Sequence, residues 1–275
     1  MGSEPTRYIH GTTPEEQRRL SRLNDLINRP SLAELALAGG ERILDVGSGL
    51  AQFTRMLGRA AGAEGRVIGV EVNAAQMEEA RRQAREDGEE GLVELRHGDA
   101  RSLPLAEGEW GTFDVAHARF VLEHVRDPLV IVRQMARACR PGGRVVLADD
   151  DHDVLRLWPE PPGLEAVWQA YIRSYLRAGN DPYVGRRLVW LLHEAGLLPR
   201  RTDWIFFGDC AGGPDFDPLV DNLVTILRGA REAILEAGLL PRLFEDAVGA
   251  LREWQRRPDA AFWYAICWAE GEKPG

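Results

Sequence analysis

Lysine is nearly missing from this chain. Of its 34 basic residues only Lys273 is a lysine, and it lies in a polar tail. Schiff-base chemistry on a lysine amine is therefore not expected. Cysteine is scarce as well. Cys139, Cys210 and Cys267 fit neither a zinc site nor a disulfide framework. Cys139 and Cys267 lie in apolar stretches and read as buried thiols. There is no run of about 18 apolar residues, so no membrane-spanning helix is expected. The first residues, Met-Gly-Ser-Glu-Pro-Thr-Arg, lack the apolar core of a signal peptide. Together these absences make the cytoplasm the expected location. Basic residues form no long block and the net charge is −9, which argues against an electrostatic grip on nucleic acid. The chain shows no internal repeat and no low-complexity segment.

What is present is a soluble globular composition, with 44% hydrophobic and 28% charged residues over 275 positions. That length suits one or two domains. From residue 42 to 149 apolar strand-like runs alternate with amphipathic helix-like runs. Strands are predicted near 42–47, 66–72, 92–97, 113–118 and 143–149, and helices near 51–61, 74–87 and 128–139. This alternation implies an α/β fold with a parallel sheet covered on both faces. Ligands of such sheets sit at the carboxyl ends of the strands. Gly49, Glu71, Asp99, Ala118 and Asp149 all fall at such ends.

The first of these strands carries the strongest signal. Arg42-Ile43-Leu44-Asp45-Val46-Gly47-Ser48-Gly49 is an apolar strand running into a glycine turn, with a helix beginning near Leu50. Glycines let the backbone pass close to a ligand, and the following helix offers free N–H groups. The next strand, Val67 to Val70, ends in Glu71, at the spacing where an acid can accept bonds from both hydroxyls of a ribose. An adenosine-containing cofactor is the expected ligand. A pyrophosphate fingerprint needs a third glycine where this chain has Gln52. Asp45 would also repel a pyrophosphate, but it suits a ligand with an amino group and a sulfonium. S-adenosylmethionine meets that description. A nicotinamide-dependent oxidoreductase remains the alternative enzyme class, and a non-catalytic adenosyl-ligand-binding protein the alternative without chemistry.

Six motifs follow in order: Leu-Asp-Val-Gly-Ser-Gly (44–49), Gly-Val-Glu-Val (69–72), Gly-Asp-Ala (98–100), Phe-Asp-Val-Ala-His-Ala-Arg (113–119), Leu-Glu-His-Val (122–125) and Arg-Pro-Gly-Gly-Arg (140–144). With these the chain resembles the class I S-adenosylmethionine-dependent methyltransferases. The similarity is to the small-molecule group that includes the ubiquinone and menaquinone biosynthesis enzymes, and it covers roughly residues 41–150. The resemblance implies a doubly wound, mostly parallel seven-stranded, Rossmann-like sheet. It implies that Asp99 receives the adenine amino group beside Ala100, and that Ala118 and Arg119 lie against the methionine part. The expected cofactor-contacting set is Asp45, Gly47, Ser48, Gly49, Glu71, Val72, Asp99, Ala100, Ala118 and Arg119.

The rest of the chain is expected to build the acceptor side. Residues 1–40 are predicted to form an N-terminal helical lid, with a helix at 14–28 and with Tyr8 and His10 facing substrate. Residues 41–275 form the catalytic domain, with helical insertions at about 155–182 and 212–257 as a cap. Helices are predicted at 162–178 and 183–195, one or two more across 216–257, a strand at 200–208 and a closing strand at 260–269. Seven of the eight tryptophans lie after residue 150. They either fill the joint between cap and sheet or line a pocket for an apolar or aromatic acceptor. Trp168, Tyr171 and Asp151 are further substrate-side candidates.

Among the histidines, His117 and His124 are expected to be structural, His117 pointing away from the ligand, and His193 to be exposed. His152 follows three aspartates in what reads as a solvated loop, where a metal or an amine could alternatively bind. No metal is expected and no catalytic residue is assigned, with His152 as a candidate base and His117 as an alternative to its structural reading. The predicted function is methyl transfer to O, N or C of a small, largely apolar or aromatic molecule.

Overall fold

The computed structural model describes residues 26–275. Helix α1 covers residues 26–35 and leads into strand β1, Arg42–Val46. Strand and helix then alternate as predicted: α2 Gln52–Ala61, β2 Arg66–Glu71, α3 Ala74–Glu86, β3 Glu94–His97, β4 Phe113–Arg119, α4 Pro128–Ala138 and β5 Cys139–Asp149. The side chain of Asn73 accepts from the backbone N–H groups of Ala75 and Gln76 and so starts α3, and Pro128 occupies the first turn of α4. Residues 14–25, Tyr8 and His10 lie outside the described residues, so the predicted lid is described only from residue 26.

The main sheet has seven strands in the order β3-β2-β1-β4-β5-β10-β7. β1 to β5 pair in parallel, and β10 (Ala265–Glu272) pairs antiparallel with both β5 and β7 (Leu198–Phe206). Strands buried on both faces need apolar residues throughout, which is why Ile43, Leu44 and Val46 are all fully buried. One face packs against α4 and α6 (Leu188–Glu194) through Ile131, Met135, Leu188 and Leu191. The other packs against α1 and α2 through Ile27, Leu35, Phe53 and Leu57, with Trp268 from β10. The exposed His193 lies on α6, as predicted.

The remaining elements of the second half pack together as a cap. Its helices are α5 Leu164–Ala178, α7 Phe216–Gly229, α8 Arg231–Glu236 and α9 Pro241–Trp254. The stretch 216–257 thus holds three helices, where one or two were expected. Breaks at Ala230 and at Leu239-Leu240-Pro241 separate them, and Pro241 forces a new start. The cap also contains a small sheet in the order β6-β9-β8, from Arg156–Trp158, Ala261–Trp263 and Asp209–Cys210. The single closing strand expected at 260–269 is therefore two strands in two sheets. The chain passes from the cap sheet into the main sheet at Tyr264, whose carbonyl accepts the Phe207 N–H at 2.9 Å. Sequence periodicity cannot show such a crossing, because apolar residues run through it without a break. Among the described residues no helix is long and apolar enough to cross a membrane.

The cap has its own hydrophobic core, in which Trp168, Tyr171, Phe216, Leu251 and Trp254 meet. Leu251 is fully buried there. Leu251→Ala should lower unfolding free energy by ~2–5 kcal/mol in a urea titration. A loss well under ~1 kcal/mol would show that this core is loosely packed.

Candidate active site

The carboxyl ends of β1, β2 and β4 surround a cavity of about 370 Å³. Small-molecule sites run from roughly 300 to 1,000 Å³. Its floor is the turn after β1. The N–H groups of Gly47 and Ser48 both donate to Val70 O, at 2.8 and 3.0 Å, which presses the turn onto β2. Gly47 has φ +75 and Gly49 has φ +53, the left-handed region that favours glycine. A Cβ on Gly47 would collide with Cγ2 of Val121, whereas one on Gly49 would meet nothing nearer than Gln76 Oε1 at 3.6 Å. Gly47 is thus required by the protein's own packing, and Gly49 by backbone conformation. Helix α2 follows from Ala51, whose φ is 54, and no side chain caps it. Gln52 and Phe53 in its first turn both line the cavity.

Glu71 ties three loops together. Its Oε2 accepts the Gly49 N–H at 2.9 Å and its Oε1 the Asn73 N–H at 2.7 Å. Its backbone carbonyl accepts the Gly98 N–H at 3.0 Å. Each carboxylate oxygen has a second lone pair, so a diol can still be held. Burial pushes this acid above its ordinary 4.5, with the bonds from Asn73 and Gly49 pulling the other way.

The other predicted residues fall around this brace. Asp45 is buried, and its carboxylate accepts from Thr54 Oγ1 at 2.6 Å and pairs with His117 Nδ1 at 2.8 Å. Asp99 is held by Arg101 through its side chain and backbone, and these contacts keep its carboxyl below the usual range. Arg119 reaches back to α1, donating to Asn28 Oδ1 at 2.7 Å and Ser31 Oγ at 3.1 Å, and stacks over Phe53 at 4.4 Å. Desolvation lowers its guanidinium to about 10. Asp45, Gly47, Ser48, Gly49, Glu71, Val72, Asp99, Ala100 and Arg119 all line the cavity. Ala118 does not. Its methyl is buried in the core, and its strand is paired on both sides, to Val46 and Leu147.

His117 is not turned away as expected. It lines the cavity beside Asp45, between Phe53 and Trp268, and its Nε2 is buried with no partner. The sequence reading also left out Gln52, Phe53, Gln76, Phe120, Val121 and His124, which line the cavity. Position was the signal that could have found most of them: Phe120 and Val121 directly follow β4, and Gln52 and Phe53 open α2. His124 stands in the short 3-10 turn Leu122–His124, where burial and the neighbouring His152 lower its pKa to about 4. It is neutral at pH 7.

Around the end of β5 the structure corrects the sequence reading. The segment 149–152 is no solvated loop, because the cap covers it. Asp149 is fully buried and accepts from the N–H groups of Val121, Leu122 and Asp150, holding the turn after β4 as Glu71 holds the turn after β1. Asp151, expected on the substrate side, does not line the cavity. Both of its oxygens are taken by Arg186 at 2.6 Å. His152 is 2% exposed and sits among Trp168, Tyr171 and Tyr175. Trp168 Nε1 donates to His152 O at 2.7 Å. These rings form a continuous core rather than an open aromatic pocket. They meet the cavity at second hand, since the Tyr175 ring lies 6.1 Å from that of His124. Phe216, Trp254 and the helices of 212–257 pack behind α5.

A turn held by glycines, an acid that braces it from the second strand, and a third-strand acid together define a nucleotide-type site of the Rossmann-like methyltransferase class. A family model described as a methyltransferase domain matches residues 44–147. A demethylmenaquinone methyltransferase of Listeria monocytogenes is 31% identical over 176 residues, 58% of this chain and 70% of that protein. The O-methyltransferase cnsE of Penicillium expansum is 34% identical over 150 residues, 53% of this chain and 52% of that protein. The crystal structure of geranyl diphosphate C-methyltransferase from Streptomyces coelicolor superposes with a TM-score of 0.54 at 16% identity, covering 98% of this chain and 89% of that one. The chain belongs to the class I S-adenosylmethionine-dependent methyltransferases. It spans between 44% and 52% of the length of the first two curated relatives it matches.

Glu71→Ala should leave the Gly49 and Asn73 N–H groups without their acceptor and remove the carboxylate proposed to accept from the cofactor. Affinity for S-adenosylhomocysteine should fall about tenfold or more and unfolding free energy by ~1–3 kcal/mol. Binding through this acid is complete above its raised pKa and lost as pH falls through it. Wild-type affinity should therefore begin to fall at a pH above 4.5, and Glu71→Gln should lack that dependence. Equal pH profiles by calorimetry would remove Glu71 from the site.

Proposed function

We propose that the protein transfers a methyl group from S-adenosylmethionine to an oxygen, nitrogen or carbon atom of a small organic molecule. The observation that carries this reading is the convergence of Gly47, Gly49, Glu71 and Asp99 on one cavity at the strand ends. In this reading Glu71 holds the ribose and Asp99 with Ala100 the adenine edge. Gly47 to Gly49 and the first turn of α2 face the methionine part. The cofactor supplies the activated methyl and its own leaving group. What remains for the protein is to align the acceptor and exclude water, so we assign no general base. His152 in particular does not line the cavity.

The acceptor enters past Arg119, Phe120, Val121 and His124, a surface of aromatic and aliphatic side chains with neutral or cationic tips. This favours a mostly apolar acceptor with one polar reacting group. The similar O-methyltransferase and demethylmenaquinone methyltransferase support a small-molecule acceptor. The acidic net charge supports the absence of a nucleic-acid substrate. The cytoplasm suits free thiols such as Cys210.

S-adenosylmethionine and S-adenosylhomocysteine should raise the melting temperature, and NAD and NADP should not. With a panel of quinols, phenols and amines, mass spectrometry should find a product that has gained one methyl. A shift with NAD and none with S-adenosylmethionine would favour the oxidoreductase reading instead. Cofactor binding with no turnover across the panel would favour a ligand-binding protein.

A further inference from the structure

Behind the cavity wall, three side chains from separate parts of the chain converge. Glu123 lies in the turn after β4, Asp150 just past β5, and His152 at the entry to the cap. Each offers one donor atom, and the three atoms all lie within 4.8 Å of one another. His152 Nε2 is 3.6 Å from Glu123 Oε2 and 3.8 Å from Asp150 Oδ2. Those separations are too long for hydrogen bonds. An ion held at about 2.0–2.2 Å from each donor spaces neighbouring ligand atoms about 3–3.5 Å apart.

His152 supplies an independent observation. Its side chain is 3% exposed and its Nδ1 is buried without a hydrogen-bond partner, while its Nε2 stands 3.6 and 3.8 Å from the two carboxylates. Nε2 is nevertheless aimed between two carboxylates. A buried imidazole normally finds a partner, because leaving it without one is costly. The Asp150 carboxylate is hydrogen-bonded to Tyr264, and its Oδ1 is buried without a partner.

The surroundings fix the donors in place. The Asp181 N–H donates to Glu123 O at 2.8 Å and the His152 N–H to Pro182 O at 2.9 Å, so one strap of chain holds both backbones. The His152 ring is stacked on Tyr171 at 5.4 Å. Such support is what a metal site needs to keep its ligands preorganised. Two carboxylates and a neutral imidazole carry two negative charges, which a divalent ion cancels. A mixed nitrogen and oxygen donor set without thiolate suits first-row ions such as Mn²⁺ or Zn²⁺ better than Ca²⁺ or Mg²⁺.

We propose that Glu123, Asp150 and His152 bind one divalent first-row transition-metal ion, which fastens the cap to the ends of β4 and β5. The site is separate from the cofactor cavity, and its existence does not depend on the methyl-transfer reading.

Tag-free full-length protein, stripped with EDTA and dialysed, should bind one equivalent of Mn²⁺ or Zn²⁺ by calorimetry, and the Mn²⁺ should lose its free-ion electron paramagnetic resonance signal. Glu123→Gln, Asp150→Asn and His152→Ala should each weaken binding tenfold or more, while circular dichroism confirms that they fold. If a variant misfolds, wild-type proton spectra decide: Mn²⁺ should broaden the ring signals of His152 and spare the exposed His193. Binding well below one equivalent, affinity unchanged in folded variants, or sharp His152 signals at saturating Mn²⁺ would overturn the proposal. S-adenosylhomocysteine titrations on the same samples report the cofactor site separately, so failure of either reading is recognised on its own.

Discussion

The site depends on one buried carboxylate. Glu71 takes a backbone N–H from the turn after β1 and another from the turn after β2, and its own carbonyl takes one from the turn after β3. Loops are otherwise the least determined parts of an α/β unit, because their polar groups can bond to water in many arrangements. Three loops tied to one residue have far fewer arrangements left. The cavity is held open by hydrogen bonds formed before any ligand arrives, which lowers the ordering cost of binding. The same logic recurs at Asp149, which takes the N–H groups of Val121 and Leu122 and so sets the opposite wall.

Burying these acids has an electrostatic consequence. Desolvation raises the pKa of Glu71 and of Asp149, and it lowers that of His124. His124 therefore faces the cavity as a neutral ring at pH 7. Arg119 is a cation at the rim, partly sheltered by Phe53 and tied to α1.

The cap shows how differently sequence and structure treat aromatic residues. Their concentration in the second half was plain, but its purpose was open between joint and pocket. The structure places Trp168, Tyr171 and Tyr175 in a packed core around His152, so the joint reading describes the side chains that are buried. Asp151 was expected on the acceptor side and is instead bound by Arg186, which lies 35 residues along the chain. No local pattern announces a partner that distant.

The sequence by itself determined the alternating unit from β1 to β5, the place of the cavity at its strand ends and part of the cavity lining. Those features are written locally: apolar runs, a glycine turn whose dihedrals only glycine adopts easily, and acids at strand ends. Nine of the ten predicted cofactor contacts line one cavity for that reason. Tertiary structure alone decided what depends on long-range contact. It split 260–269 between two sheets, turned His117 toward the cavity, buried the acidic loop at the end of β5, and brought Glu123, Asp150 and His152 to one point. Burial, orientation and charge pairing between residues far apart in sequence arise only when the cap closes on the sheet. They have no periodic or spacing signature in the chain.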